Sequence, residues 1–439
     1  MPPTSGIFLA CALSDRLMTT AMRRLVPASA AALFFLVMVV LYTTGQQTIY
    51  EEILRVWGVD PFRFPFLDTE TVLSAVRCVR AGVDVFAGNP CDPLRRVYDY
   101  SPLWLVLAKL PVTEAWTMPS ALVVCVSFIA SLTLLPPGRG ALQTALITLG
   151  VVSSAVVFTV ERGNNDLVLF VLAAIAAALA CRTPLLRLMG YGAALLAGLL
   201  KYYPMTLMAL TTRERPGRFF AIVAATLAVI ALFLVAMGHD LERALHLIPT
   251  GGWFGDMFGS STLGGGLVKE LGWPSSLAIT LRVGLSVITI GAGVAIARRP
   301  AVIAALGRLT DAEGTALLAG GLLILGCFFT AQNIGYRVIY LVLTLPALTA
   351  LWRLRAGRLW SVTTITVLAL LWSQGWRNVI ALLIEGRHAF IAGWLVREAI
   401  WWWTIAMLIA LVYGLLARSE MGARLLRSRA SASSTATAF

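Results

Sequence analysis

Charge is scarce in this chain. Only 13% of its 439 residues are Asp, Glu, Lys or Arg, against 59% hydrophobic residues, which excludes a string of soluble domains even though the length alone would suggest two or three. Lysine is scarcer still, with three beside 32 arginines, so each lysine marks a place where a guanidinium was not used. The three histidines, His239, His246 and His388, and the six cysteines show no zinc-type spacing, and nothing supports a zinc centre. No good A-x-A cleavage site follows the first apolar run, 25–45, which is longer than the roughly 7 to 15 residues of a secretory h-region. It reads as an uncleaved first span, with residues 1–24 cytoplasmic.

What the chain does contain is apolar runs of nearly constant length, near 25–45, 116–136, 141–160, 166–181, 217–238, 275–296, 314–331, 335–352, 359–375 and 397–417. A membrane crossing needs about 20 such residues. Arginines flank the stretch 182–216 at both ends, and both ends therefore belong in the cytoplasm. Twelve helical residues cover only about 18 Å, so the stretch predicts a short broken pair, 188–201 and 203–213 (together 188–213), with Lys201-Tyr202-Tyr203-Pro204 at its tip. The expectation is an all-α integral membrane bundle of about 12 helices. It comprises a single domain over 25–417, a large first outer loop at 46–115, a flexible Gly-rich outer loop at 239–274 and a basic cytoplasmic tail at 418–439. With this topology the inner segments hold 19 Arg and 5 Asp/Glu, and the outer ones 16 Lys/Arg and 17 Asp/Glu. The net charge of +13 thus reflects orientation in the bilayer and calls for no nucleic acid.

The outer side carries the unusual residues. In the first outer loop, residues 69–86 have helical patterning. Asp68 reads as its N-cap, with Leu67 and Val72 as a hydrophobic staple, or as a general base with Glu70 beside it. Cys78 and Cys91 share this loop in a compartment that permits a disulfide, and either pair or stay as thiols. The turn Glu161-Arg162-Gly163-Asn164-Asn165-Asp166 reads as a polar hairpin, with Asn164 or Asn165 capping the next helix. Lys201 is either a snorkelling lysine or a phosphate partner at a break that lines a cavity. Gln332, Asn333, Tyr336 and Arg337 form another short outer hairpin, whose plain reading is an interfacial anchor. The stretch "WLVREAIWWW" reads as a tryptophan belt.

The pairing of "RGNND" with "LLAGLLKYYPMTLMAL" about thirty residues later resembles the RGxND and ALKxYP motifs of glycosyltransferase family 87, polytopic GT-C enzymes that include polyprenol-phosphate-mannose-dependent mannosyltransferases. "YDYSPLW" stands where that family usually has Tyr-x-Tyr-Pro-Pro. The resemblance covers roughly 65–210 and, more loosely, 320–350. It implies a GT-C-type bundle with Asp68 as catalytic base and Glu70 as its companion. It further implies a sugar and phosphate site drawn from Arg162, Asn164, Asn165, Asp166, Lys201, Tyr202, Tyr203, Asn333, Tyr336 and Arg337. One departure concerns the later outer loop, where the family often carries histidines and this chain has Gln332 to Arg337, so that Arg337 takes the histidine's part or the donor differs.

The function so implied is inverting transfer of a sugar, mannose or another pentose or hexose, from a polyprenyl-phosphate donor to a glycolipid or polysaccharide acceptor. Arg-over-Lys and Ala-rich usage points to a bacterium, placing the site on the outer face of the plasma membrane. No cofactor is required; a divalent cation at Asp68 and Glu70 is left open. The alternatives are a lipid-linked sugar transporter or flippase, which also use broken helices, and a relative that has lost catalysis. The absence of a convincing repeat between the two halves weighs against a carrier.

Overall fold

The stretch Asp166–Ala180, "DLVLFVLAAIAAALA", shows why this chain is helical. Leu and Ala carry high helix propensity, and a backbone in lipid must satisfy its own hydrogen bonds. The computed structural model describes residues 18–62, 64–248, 256–330, 332–354, 357–383 and 386–426. Residues 1–17 (with Cys11), the glycine-rich 249–255 and the tail residues 427–439 lie outside the described residues. Helices hold 79% of the described residues and no strand occurs among them, so the all-α class stands.

In chain order the helices are α1 (Thr20–Thr43), α2 (Gln47–Val56), α3 (Leu67–Arg80), α4 (Thr117–Ser131), α5 (Ala141–Val151), α6 (Ser154–Arg162), α7 (Asp166–Ala180), α8 (Pro184–Lys201), α9 (Pro216–Leu247), α10 (Thr262–Leu271), α11 (Ser275–Ala297), α12 (Pro300–Leu306), α13 (Asp311–Thr330), α14 (Leu345–Arg353), α15 (Arg358–Leu371), α16 (Ser373–Leu383) and α17 (Arg387–Arg418). Three 3-10 stretches, Pro102–Lys109, Tyr203–Arg213 and Gly335–Thr344, complete the parts that matter for the site.

Among the described residues seven helices are long and apolar enough to cross a membrane, eight if α5 and α6, bent by 41°, form one span. This is a multi-pass membrane protein. The expected twelve spans do not all appear as full-length helices. α7 has 15 residues and α15 has 14, which at 1.5 Å each fall short of a hydrocarbon core about 30 Å thick. The shortening has a cause at the Asp166 end of α7, where the chain turns to present polar residues.

The core sits around α13, which is buried along most of its length, whereas α9 buries only Ala244 and α11 only a few small residues. The faces of α9 and α11 left open are therefore apolar and suited to lipid. Small residues set the closest approaches: a Cβ at Gly190 of α8 would stand 3.1 Å from the Ala176 carbonyl of α7, and one at Gly320 of α13 would stand 2.8 Å from the Tyr340 carbonyl. Arg139 pairs with Glu313, and Arg23 donates to the Arg139 carbonyl at 3.0 Å.

Several local expectations change. The first outer-loop helix starts at Leu67 and ends at Arg80, rather than running from 69 to 86, because Ala81 and Gly82 turn the chain. Phe66, in the left-handed region at φ 66°, occupies the N-cap position, so Asp68 is not the cap. The broken pair is α8 followed by a 3-10 stretch, with the break at Tyr202 (φ 56°) just before Pro204. Cys78 and Cys91 are joined as a disulfide with a Cα–Cα distance of 5.8 Å. In the tryptophan stretch Trp394 and Trp401 are buried, and Trp401 stacks on Phe258 at 4.3 Å, so these two belong to the core rather than to a belt.

Candidate functional site

The site is assembled on the turn between α6 and α7. Gly163 ends α6 in the left-handed conformation at φ 53°, and a Cβ there would come within 2.5 Å of Thr69 Oγ1. The glycine lets α3 dock: Phe66 donates its N–H to the Glu161 carbonyl at 2.7 Å, and Thr69 donates its hydroxyl to the Gly163 carbonyl at 2.7 Å. Docking sets Asp68 against Asn164, whose Nδ2 donates to the carboxylate at 2.6 Å. Asn164 Oδ1 in turn accepts the Asp166 N–H at 2.8 Å. Asn164, not Asn165, therefore performs the capping chemistry expected at this helix start.

Asp166 is fully buried and forms the hub. Lys201 Nζ lies 2.7 Å from it, the Tyr203 hydroxyl donates at 2.5 Å and the Tyr340 hydroxyl at 2.7 Å, while Arg337 Nε stands 3.6 Å away. Arg337 also donates to the Asn333 side chain, and its guanidinium lies 5.4 Å from the Tyr203 ring centroid. Lys201 sits between two rings, 5.7 Å from the centroids of Tyr100 and of Tyr336. One lysine and one arginine are thus held by a single carboxylate, with further N–H donors on each.

Two carboxylates of the first outer loop belong to the same environment. Burial pushes the Asp68 carboxyl above its ordinary value, against the Asn164 hydrogen bond and the charges of Arg162, Arg96 and Lys201. Burial raises Asp99 as well, opposed by Lys201, Arg337 and Arg96. Arg96 is the cation nearest Asp68 at 3.9 Å and is itself anchored on Asp92 at 2.9 Å.

Of the residues singled out from sequence, the structure brings Asp68, Asn164, Asp166, Lys201, Tyr203, Asn333, Tyr336 and Arg337 together. Tyr202 forms the break beside them. Asn165 is buried next to the hub, and its Nδ2 meets no acceptor among the described residues. Glu70 is not the companion of Asp68. It points the other way, to Arg77 at 2.5 Å and to Thr117, because residues two apart on a helix do not share a face. Arg162 turns from the hub to stack on Phe62 at 3.6 Å, with Glu161 3.4 Å from its Nε. Arg96, Asp99, Tyr100 and Tyr340 were not singled out. Asp99 and Tyr100 sit inside the quoted "YDYSPLW", which is the one signal that could have found them.

The described part of the outer loop 239–274 is tied down. Phe258 and Asn333 exchange backbone hydrogen bonds at 2.8 Å each, Ser260 donates to the Phe328 carbonyl at 2.7 Å, and Arg397 donates to the Met257 carbonyl at 2.7 Å. A separate apolar cavity of about 160 Å³ lies between α1, α4, α5 and α6, and reaches Phe66 and Glu161 beside the Asp68 turn. Among the described residues no three His, Cys, Asp or Glu side chains converge to hold a metal. Comparison with protein-family models, curated proteins and solved structures returned no match for this chain.

Proposed function

We propose that the chain is an inverting glycosyltransferase of the outer face of a bacterial plasma membrane, taking its sugar from a polyprenyl-phosphate donor. The observation that carries this reading is the buried juxtaposition of Asp68 with Lys201 and Arg337 around one polar turn at the ends of apolar helices. Buried charges at such depth are costly and tend to be functional. Here they include the two kinds that transfer from a lipid phosphate requires, a carboxylate to take a proton and cations to meet a phosphate.

In the reaction an acceptor hydroxyl attacks the anomeric carbon while the bond from that carbon to the phosphate oxygen breaks. Asp68 takes the hydroxyl proton, and polyprenyl phosphate leaves with the bonding pair. Lys201 and Arg337 meet the charge growing on the phosphate, and Asp166, with Tyr203 and Tyr340, fixes both cations beforehand. The prenyl tail lies in the apolar cavity against α1 and α4. Arg337 stands in for the family's histidine. The acceptor is a glycolipid or polysaccharide, and mannose is the first sugar to try. Lipid-linked sugar transport is the second reading, favoured by the breaks at Tyr202 and between α5 and α6.

The test is transfer of label from radiolabelled polyprenyl-phosphate mannose to endogenous acceptors, in membranes bearing wild type or Asp68→Asn. Product with wild type, reduced about 10²- to 10⁴-fold in a properly inserted variant, is expected for loss of a general base. Equal product from both would return Asp68 to a structural role. Absence of product from wild type with mannose and with other lipid-linked sugars, alongside flipping of the donor in vesicles, would favour transport.

A further inference from the structure

A polar recess lies beside the reaction centre. Its volume is about 200 Å³, and it is lined by Gly58 and Asp60 after α2, Phe158 and Arg162 of α6, Asp256, and Gln374 of α16. This is room for several waters. Gln374 is the telling member. It is 6% exposed, yet its amide nitrogen meets no acceptor among the described residues, whereas buried side-chain amides are ordinarily satisfied. Its seat is specific. Gly58, at φ 76°, lets the chain pass where a Cβ would come 2.4 Å from the Gln374 carbonyl, and a Cβ at Gly335 would come 2.5 Å from Gln374 Nε2. The neighbouring Gly375 N–H donates to Ser154 Oγ at 3.1 Å, fixing the start of α16.

The lining decides the ligand class. Asp60 and Asp256 repel a phosphate or carboxylate. Arg162 repels a cation. A ligand that donates to the carboxylates and accepts from the amide and guanidinium must carry groups able to do both, and hydroxyls are such groups. Phe158 supplies an apolar wall. We propose that this recess binds a neutral sugar ring, held by Asp60, Asp256, Arg162 and Gln374. Arg162 directly precedes Gly163, on whose carbonyl Thr69, the neighbour of Asp68, is docked at 2.7 Å, so the recess adjoins the Asp68 turn. The ring is therefore that of an acceptor sugar neighbouring the attacking hydroxyl, an assignment that rests on the transferase reading, whereas sugar binding by the recess does not.

The experiment uses the full chain in nanodiscs. Saturation-transfer NMR is recorded with the methyl glycosides of mannose, glucose, galactose and arabinose for wild type, Gln374→Leu and Asp256→Asn. Thermal melts first establish that each variant is folded, and the partly exposed Asp256 supplies the comparison if Gln374→Leu is not. Saturation of at least one glycoside by wild type, lost at least fivefold in a folded variant, is expected. No saturation with any of the four, or saturation that persists in the folded variants, overturns the recess as a sugar site. Acceptor KM is then measured in the transfer assay. A rise of about tenfold, the worth of one well-placed hydrogen bond, exceeding the fall in kcat, is expected. An unchanged KM alongside robust transfer overturns the acceptor assignment alone. Saturation lost in the variants without any transfer by wild type keeps the sugar site and overturns the transferase reading.

Discussion

Asp166 receives a lysine, a guanidinium and two tyrosine hydroxyls, and this crowding makes the hub hard to alter one residue at a time. Asp166→Asn leaves Lys201 and Arg337 buried without their counter-charge. Removing one partner of a buried pair costs about 3–5 kcal/mol, so the variant should melt well below wild type in detergent, whereas Asp68→Asn should not. Equal melting temperatures for the two would show that the hub is hydrated and weakly coupled. Asp68 invites a different measurement. As a base it works only when deprotonated, and burial holds its pKa above that of an exposed aspartate. Transfer should therefore rise with pH through a midpoint above the ordinary aspartate value. Arg96 lowers that midpoint, so Arg96→Met should move it to higher pH. A midpoint that stays put, or moves down, would detach Asp68 from the titration.

At this scale the sequence was legible in parts. Lys201 stood out through the rarity of lysine, and Asp68 and the turn 161–166 through polar residues that interrupt apolar runs. Tyr340 did not, since a tyrosine in "YLVLTLP" looks like any membrane tyrosine until Asp166 is seen beside it. The reading of Glu70 failed on information the sequence did contain, the i,i+2 spacing that sends it to Arg77.

Between residue and molecule stand the joints. α3 is held to the α6–α7 turn by Thr69 and by the room that Gly163 leaves. Gly163→Ala puts a side chain at positive φ, at a cost of about 1–3 kcal/mol, and pushes it into Thr69. Both effects act on the joint that positions Asp68. The variant should lower transfer more than it lowers the melting temperature of the whole bundle. No change in transfer would mean that α3 can shift without carrying Asp68 with it. The break at Tyr202 was legible from Lys-Tyr-Tyr-Pro, because proline cannot extend a helix by hydrogen bonding. The 3-10 form of the returning stretch was not, since the same residues are compatible with either helix. The start of α3 was missed because Phe66, a poor candidate for left-handed backbone, adopts it under the pull of the Glu161 carbonyl.

For the whole molecule, composition and arginine placement were enough for an all-helical membrane bundle. The count of spans was less legible, because hydropathy reports apolar length and not where a helix stops at a buried polar residue. The orientation is open to measurement. Cysteines introduced by Asp84→Cys and Lys269→Cys should react with an impermeant thiol reagent from outside, and one from Arg187→Cys only after the membrane is permeabilised. The reverse pattern would invert the topology and place the hub on the cytoplasmic side.

α7, with 15 residues, is about 22 Å long, some 8 Å less than a hydrocarbon core of about 30 Å. If its Arg182 end sits at the cytoplasmic boundary, as the proposed topology requires, its polar start would lie sunk beneath the outer headgroups. Tyr202→Cys, half-buried at the break beside the hub, should then react with a slim methanethiosulfonate and resist a polymer-bearing maleimide, while equal rates would raise the site to the surface. A sunken hub sorts its visitors by shape. A molecule that shares the bilayer can slide in edgewise, and a soluble one must lower a narrow tip, so a glycan lying broadside across the membrane would stay outside while its free end went in.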